Sequence, residues 1–137
     1  MSVAATYDGV DALLADARSR LDRIEAERAF EELRAGAVLV DIRPVAQRVE
    51  EGQVHCSLGA LVIERNVLEW RFDPRSEARI PQAAYGARVI VLCQEGYTSS
   101  LAADALRSIG ITRATDVIGG FAAWRAAGLP VAGTSTA

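Results

Sequence analysis

The stretch from Arg88 to Leu106 constrains the fold of this chain more than any other. Val89 to Leu92 is an unbroken apolar run rich in β-branched residues, the pattern of a short strand covered on both faces. Cys93 to Thr98 is a polar loop with one glycine. From Thr98 onward, Leu101, Ala102, Ala105, Leu106 and Ile109 recur at helical spacing, and Thr98, Ser99 or Ser100 can serve as the N-cap. Cys93 therefore falls where a parallel strand ends and a helix begins, the edge at which open α/β sheets bind ligands. A helix N-terminus presents unpaired N–H groups and a positive dipole end, which favour an anion such as a thiolate. The expectation is an activated cysteine.

The flanking segments repeat the alternation. Val10, Leu13, Leu14, Ala17, Leu21 and Ile24 share one helical face, so residues 8–20 are expected to form an amphipathic helix. That face suits either packing at the domain edge or contact with a partner. The helical pattern runs on through Ala26, Ala29, Phe30 and Leu33 to Gly36. It leaves open one long helix or two with a break near 21–25. Ala37 to Arg43 reads as a second buried strand, stopped by Pro44, with Asp41 and Arg43 at its carboxyl end. Residues 45–51 read as a short helix closed by Gly52, and 52–60 as a loop holding His55 and Cys56. Leu61 to Ile63 is a short strand. A short helix follows from Glu64 to Phe72, with Trp70 and Phe72 expected in the core. Thr115 to Ile118 is a last short strand, and Gly119-Gly120 leads into a helix carrying Trp124, expected to be buried. This alternation of strands and helices specifies an α/β domain with a mainly parallel sheet covered on both faces.

A length of 137 residues with 50% hydrophobic content suits one globular domain with its own core. Two cysteines in separate segments do not form a disulfide framework, so a reducing cytoplasm is expected. The first residues lack the basic and apolar regions of a signal peptide, and no apolar run approaches the ~20 residues of a membrane span. A net charge of −3 gives no support for nucleic-acid binding. No metal-ligand spacing appears, and neither a metal nor another cofactor is expected.

Five pieces in register resemble rhodanese-like domains. Cys93-x-x-Gly96-x-Thr98-Ser99 is similar to the family's active-site loop, and Val40-Asp41-Ile42-Arg43 to its Asp-x-Arg strand end. Glu51-Gly52-Gln53-Val54 with Gly59 to Ile63 resembles the Gly-His-Ile-Pro-Gly-Ala-x-x-Ile stretch. Leu106 to Gly110 is similar to the helix end after the loop. Asp116 to Pro130 resembles the closing Gly-Gly…Trp…Gly-Leu-Pro signature. The resemblance implies a doubly wound, five-stranded sheet in residues 23–131. Residues 1–22 would then be an N-terminal helical extension and 132–137 a frayed tail. It implies a short first strand at Arg23-Ile24, and hence a broken N-terminal helix. It also implies sulfur transfer: the loop cysteine takes a sulfane sulfur from a small donor or a persulfide-carrying protein, and a thiol acceptor removes it.

The residues suit that chemistry. With no histidine in the loop, the thiolate must be stabilised by loop N–H groups and the helix terminus. Gly96 lets the backbone curl so that successive N–H groups face inward. Thr98 and Ser99 can donate hydroxyl hydrogen bonds to the sulfur. Arg43 can pair with Asp41 or hold the loop, and Arg65 can rim the pocket. Ser99 stands where the related phosphatases of a longer loop carry arginine, so a phosphate dianion would lack its bidentate partner. The loop's variable positions are Gln94, Glu95 and Tyr97. Resemblance to active thiosulfate enzymes implies a basic residue here. Glu95 instead places negative charge at the mouth, which disfavours a dianionic donor. A non-catalytic module for protein binding or persulfide sensing is the alternative expectation.

Overall fold

The computed structural model describes residues 6–132. The first helix, α1 (Val10–Ser19), is followed by α2 (Ala26–Arg34), β1 (Val38–Asp41), α3 (Val45–Glu51) and β2 (Gln53–Val54). A 3-10 turn at Cys56–Leu58 precedes β3 (Leu61–Val62), and another at Arg65–Val67 leads into α4 (Leu68–Phe72). Then come β4 (Val89–Leu92), α5 (Thr98–Ser108), β5 (Thr115–Asp116), α6 (Gly120–Ala126) and β6 (Val131–Ala132).

Among the described residues the central sheet has four parallel strands in the order β3-β1-β4-β5. The expected fifth strand is reduced to one parallel bridge, Ile24 to Val117. Only Ile24 reaches the sheet, receiving from and donating to its backbone (Ile24 N to Asp116 O, Ile118 N to Ile24 O). The helical run does break there, and Thr115 Oγ1 pins the break by donating to the Asp22 carbonyl at 2.7 Å. A small antiparallel pair, β2 with β6, lies apart from the main sheet. The sequence pattern hides both strands in loop and tail. Ala132 belongs to β6, and the rest of the expected tail, like the first five residues, lies outside the described residues.

Strand alternation sends successive side chains to opposite faces. Val40, Ile42, Val89, Val91 and Cys93 pack with Leu68, Phe72, Ala102 and Leu106 on one face. Leu39, Ile90 and Leu92 pack with Ala26, Ala29, Phe121 and Trp124 on the other. The sheet is thus covered by α4 and α5 on one side and by α2 and α6 on the other. Trp124 is fully buried and donates its Nε1–H to the Pro130 carbonyl. Trp70 departs from expectation: it is 60% exposed, while Phe72 is buried. Leu68 and Phe72 are four residues apart and share the core face of α4, which turns Trp70 outward. The α1 face is covered only in part. Leu14 and Ala17 are buried, but Val10 remains exposed.

From β1 the chain adds β3 on one side, then crosses back to place β4 on the other. The crevice between the carboxyl ends of β1 and β4 is therefore a topological switch point, the place where such sheets bind ligands.

Candidate active site

Cys93 follows β4 directly, and Arg43 lies two residues beyond β1. Cys93 is 4% exposed and lines a cavity at this edge of the sheet. That cavity is about 240 Å³, walled by Ile42, Arg43, Pro44, Gln47, Gln94, Glu95, Tyr97 and Thr98. A separate hollow of about 340 Å³ lies near the amino ends of β1 and β4, lined by Glu32, Arg88 and Arg113, and holds no nucleophile.

The loop's N–H groups converge on the sulfur. The Gly96 N–H donates to Cys93 Sγ at 3.2 Å and the Ser99 N–H at 3.3 Å. Ser99 is the second residue of α5, whose preceding residue, Tyr97, supplies no side-chain cap. The sulfur therefore fills the acceptor position that an N-cap side chain occupies in other helices. None of Thr98, Ser99 and Ser100 acts as the cap.

The carbonyls of the same loop are held outward. Phe121 N–H donates to the Cys93 carbonyl at 2.8 Å and Ala122 N–H to the Gln94 carbonyl at 3.0 Å, both from the start of α6. The Gly96 carbonyl accepts from Arg18 Nη2 at 2.7 Å and from Arg23 Nη2 at 3.0 Å. Carbonyls out and N–H groups in is the arrangement of an anion-binding nest. Gly96 has φ +85°, and a Cβ there would lie 2.8 Å from Gly119 N, so the curl requires glycine.

Arg43 does both things the sequence left open. Its Nε and Nη2 grip the Asp41 carboxylate, the closest contact being 2.7 Å. Nη1 donates to Gln94 Oε1 at 2.9 Å and Nη2 also donates to the Gly52 carbonyl at 3.0 Å. The guanidinium lies over the Phe121 ring, 4.2 Å from its centroid. Arg43 and Asp41 are both buried, so this ion pair is a neutral unit within the cavity wall.

The expected hydroxyl donation to sulfur is not what Ser99 does. Its hydroxyl donates to Asp116 Oδ2 at 2.7 Å, as does that of Ser100 at 2.8 Å. Thr98 is exposed at the cavity wall. Arg65 pairs with Glu69 at 2.7 Å and is not among the cavity-lining residues. His55 is exposed, its ring accepting from Ser57 N–H, and Cys56 lines a different hollow with Val54 and Ala60. Glu95 and Tyr97 are exposed at the lip.

Three site residues escaped the sequence reading. Asp116 is fully buried at the end of β5, where Arg23, Ser99 and Ser100 all meet it. A carboxylate beside the apolar Val117-Ile118 at a strand's carboxyl end is the signal that would have found it. Arg18 lies upstream of every family-like motif, Arg23 enters only as the start of the implied first strand, and nothing local marks either as a site residue. Among the described residues, no group of His, Cys, Asp or Glu is placed to hold a metal, and no helix is long and apolar enough to cross a membrane.

Known proteins share this architecture. Two maize proteins, adenylyltransferase and sulfurtransferase MOCS3-1 and MOCS3-2, are 33% and 32% identical over 91 residues. The match takes in 64% of this chain but only 18% and 17% of those proteins, so the chain spans about a fifth of their length. The structure of RPA3614 from Rhodopseudomonas palustris, of unknown function and described as a possible tyrosine phosphatase, superposes with a TM-score of 0.81. It is 28% identical, over 96% of this chain and all of that one. The polysulfide-sulfur transferase homodimer of Wolinella succinogenes shares the fold at a TM-score of 0.70 and 19% identity, over 89% of this chain and 85% of that one. The rhodanese-like domain model matches residues 24–127, with Cys93 inside the match, and the chain belongs to the rhodanese-like family.

Proposed function

We propose that this protein is a sulfurtransferase that carries sulfane sulfur as a persulfide on Cys93. The observation that carries the reading is the pair of N–H groups, from Gly96 and Ser99, on Cys93 Sγ. The thiolate attacks the outer sulfur of a donor. A Cys93 S–S bond forms, the donor's bond to that sulfur breaks, and the donor leaves with the electron pair. An acceptor thiolate then attacks the outer sulfur and releases the Cys93 thiolate. Both enzyme states are anionic sulfur, so one N–H cradle serves both.

The donor carries little charge in this reading. Among the described residues Arg43 is the one cation lining the cavity, and it is neutralised by Asp41, while Glu95 adds a negative charge at the lip. A thiosulfate dianion is disfavoured there. A persulfide, 3-mercaptopyruvate or a persulfide-bearing protein suits the cavity better. Among the described residues no cation free of a carboxylate lines the cavity wall, which argues against a phosphate monoester as substrate. Two unpaired thiols, Cys56 and Cys93, suit a reducing compartment such as the cytoplasm.

Residues 23–131 make up the transferase domain in this reading and 1–22 its extension. The alternative, a non-catalytic module that senses persulfides or binds a partner, draws its support from the acidic lip at Glu95.

Intact mass separates them. The reduced protein is incubated with thiosulfate, 3-mercaptopyruvate and a small persulfide in turn, then measured with and without cyanide. A sulfur adduct removed by cyanide and missing in Cys93→Ser is the expected result. No adduct from any donor would sink the transferase reading.

A further inference from the structure

We infer that Arg18, on the helical extension outside the family match, is a positioning residue of the Cys93 site and supplies its uncompensated positive charge. Its importance to sulfur transfer rests on the reading above, but the geometry it acts through does not.

Arg18 makes three contacts with the loop and the first turn of α5. Its Nη2 donates to the Gly96 carbonyl at 2.7 Å, its Nε donates to Ser100 Oγ at 3.0 Å, and its guanidinium lies 5.6 Å from the centre of the Tyr97 ring. Arg23 reaches the same carbonyl at 3.0 Å. In a trans peptide the C=O and the following N–H point in opposite directions. Holding the Gly96 carbonyl outward therefore turns the Tyr97 N–H back toward the concave side of the loop. Polarising that carbonyl with a cation also makes the N–H a better donor.

Charge distinguishes Arg18 from the other arginines around the site. Arg23 is bound to Asp116 through two contacts, at 2.9 and 3.2 Å. Arg43 is bound to Asp41. Among the described residues no carboxylate pairs with Arg18. It is partly shielded from solvent, because α1 packs on α5 and buries Leu14 and Ala17 beside it. A guanidinium in that position strengthens the positive field that the loop N–H groups present to negative charge on the sulfur.

The test needs no sulfur donor, so it stands whether or not the protein transfers sulfur. In a Cys56→Ser background, the rate of Cys93 alkylation by iodoacetamide is measured against pH for the parent, Arg18→Gln, Arg18→Lys and Arg20→Gln. Thermal melts are recorded alongside. Arg20 sits on the same helix but bonds Asp16 and Asp104, away from the loop, so its loss controls for charge and for α1 docking. Arg18→Gln is expected to move the profile to higher pH and slow alkylation near neutrality by roughly two- to fivefold. Arg18→Lys should restore part of this, and Arg20→Gln should match the parent. Superimposable profiles for the parent and Arg18→Gln overturn the inference. So does an equal shift in Arg20→Gln, which would trace the effect to α1 docking alone.

Discussion

Arg43 Nη1 donates to Gln94 Oε1 at 2.9 Å, which fastens the end of β1 to the residue that follows Cys93. The same guanidinium neutralises the buried Asp41 carboxylate. In Arg43→Met that carboxylate keeps only the residue-43 backbone N–H, now 3.0 Å away, of its present partners. Removing one member of a buried pair costs about 3–5 kcal/mol. Urea denaturation should show a loss of that size, and Arg43→Lys should fall between the two.

Gly120 is where α6 meets the loop. Its φ is +60°, and a Cβ would stand 2.4 Å from the Cys93 carbonyl oxygen. Left-handed strain plus overpacking predicts that Gly120→Ala destabilises by about 2–4 kcal/mol. Because Phe121 and Ala122 donate to the Cys93 and Gln94 carbonyls, the loop should move with α6. Alkylation of Cys93 at temperatures well below the melt should therefore become faster as its sulfur is uncovered. A stable, unreactive variant would contradict this.

Glu95 stands at the mouth with no hydrogen-bond partner among the described residues to hold its charge elsewhere. Glu95→Gln should raise turnover with thiosulfate, and by more at low salt than at high salt, where the screening length shrinks below about 10 Å. Unchanged turnover at both would mean that its charge is not felt by the donor.

At the opposite end of the sheet, Glu32 accepts from Arg88 Nε at 2.8 Å and from Arg28 Nε at 2.9 Å. The Arg88 hydrogen bond chiefly, helped by Arg28 and opposed by partial burial, holds the Glu32 carboxyl below its ordinary range. A depressed carboxyl contributes stability above the unfolded value of about 4.3, and that stability is lost as pH falls through the lower folded value. The melting temperatures of the parent and Glu32→Gln should differ most near neutrality and converge in acid. A gap that widens on acidification would refute the assignment.

Much of the fold follows from local pattern. Val89 to Leu92 is buried at every position because its neighbours on both faces are apolar, and an unbroken β-branched run announces that. Helix α3 is likewise bounded by Pro44 and Gly52, which any reader of turns would mark. The two-residue strands β2 and β6 have too few residues to show a period, and only their pairing defines them. The site divides along the same line. Cys93 and Gly96 are legible because one stretch of chain holds strand, curl and helix. The hydroxyl of Ser99 is not, because Asp116, a competing acceptor, arrives from 17 positions away. Asp41 and Arg43 are legible as a pair but not in their reach to Gln94, which crosses between strands.

The family match begins at residue 24, one position after Arg23 and six after Arg18. Both cationic donors on the Gly96 carbonyl therefore lie outside a module cut to the matched segment. Such a module would keep its four-stranded sheet, Cys93 and the loop, yet lose the arginines behind that loop. For this chain, the segment that the family model matches is smaller than the set of residues that holds the loop.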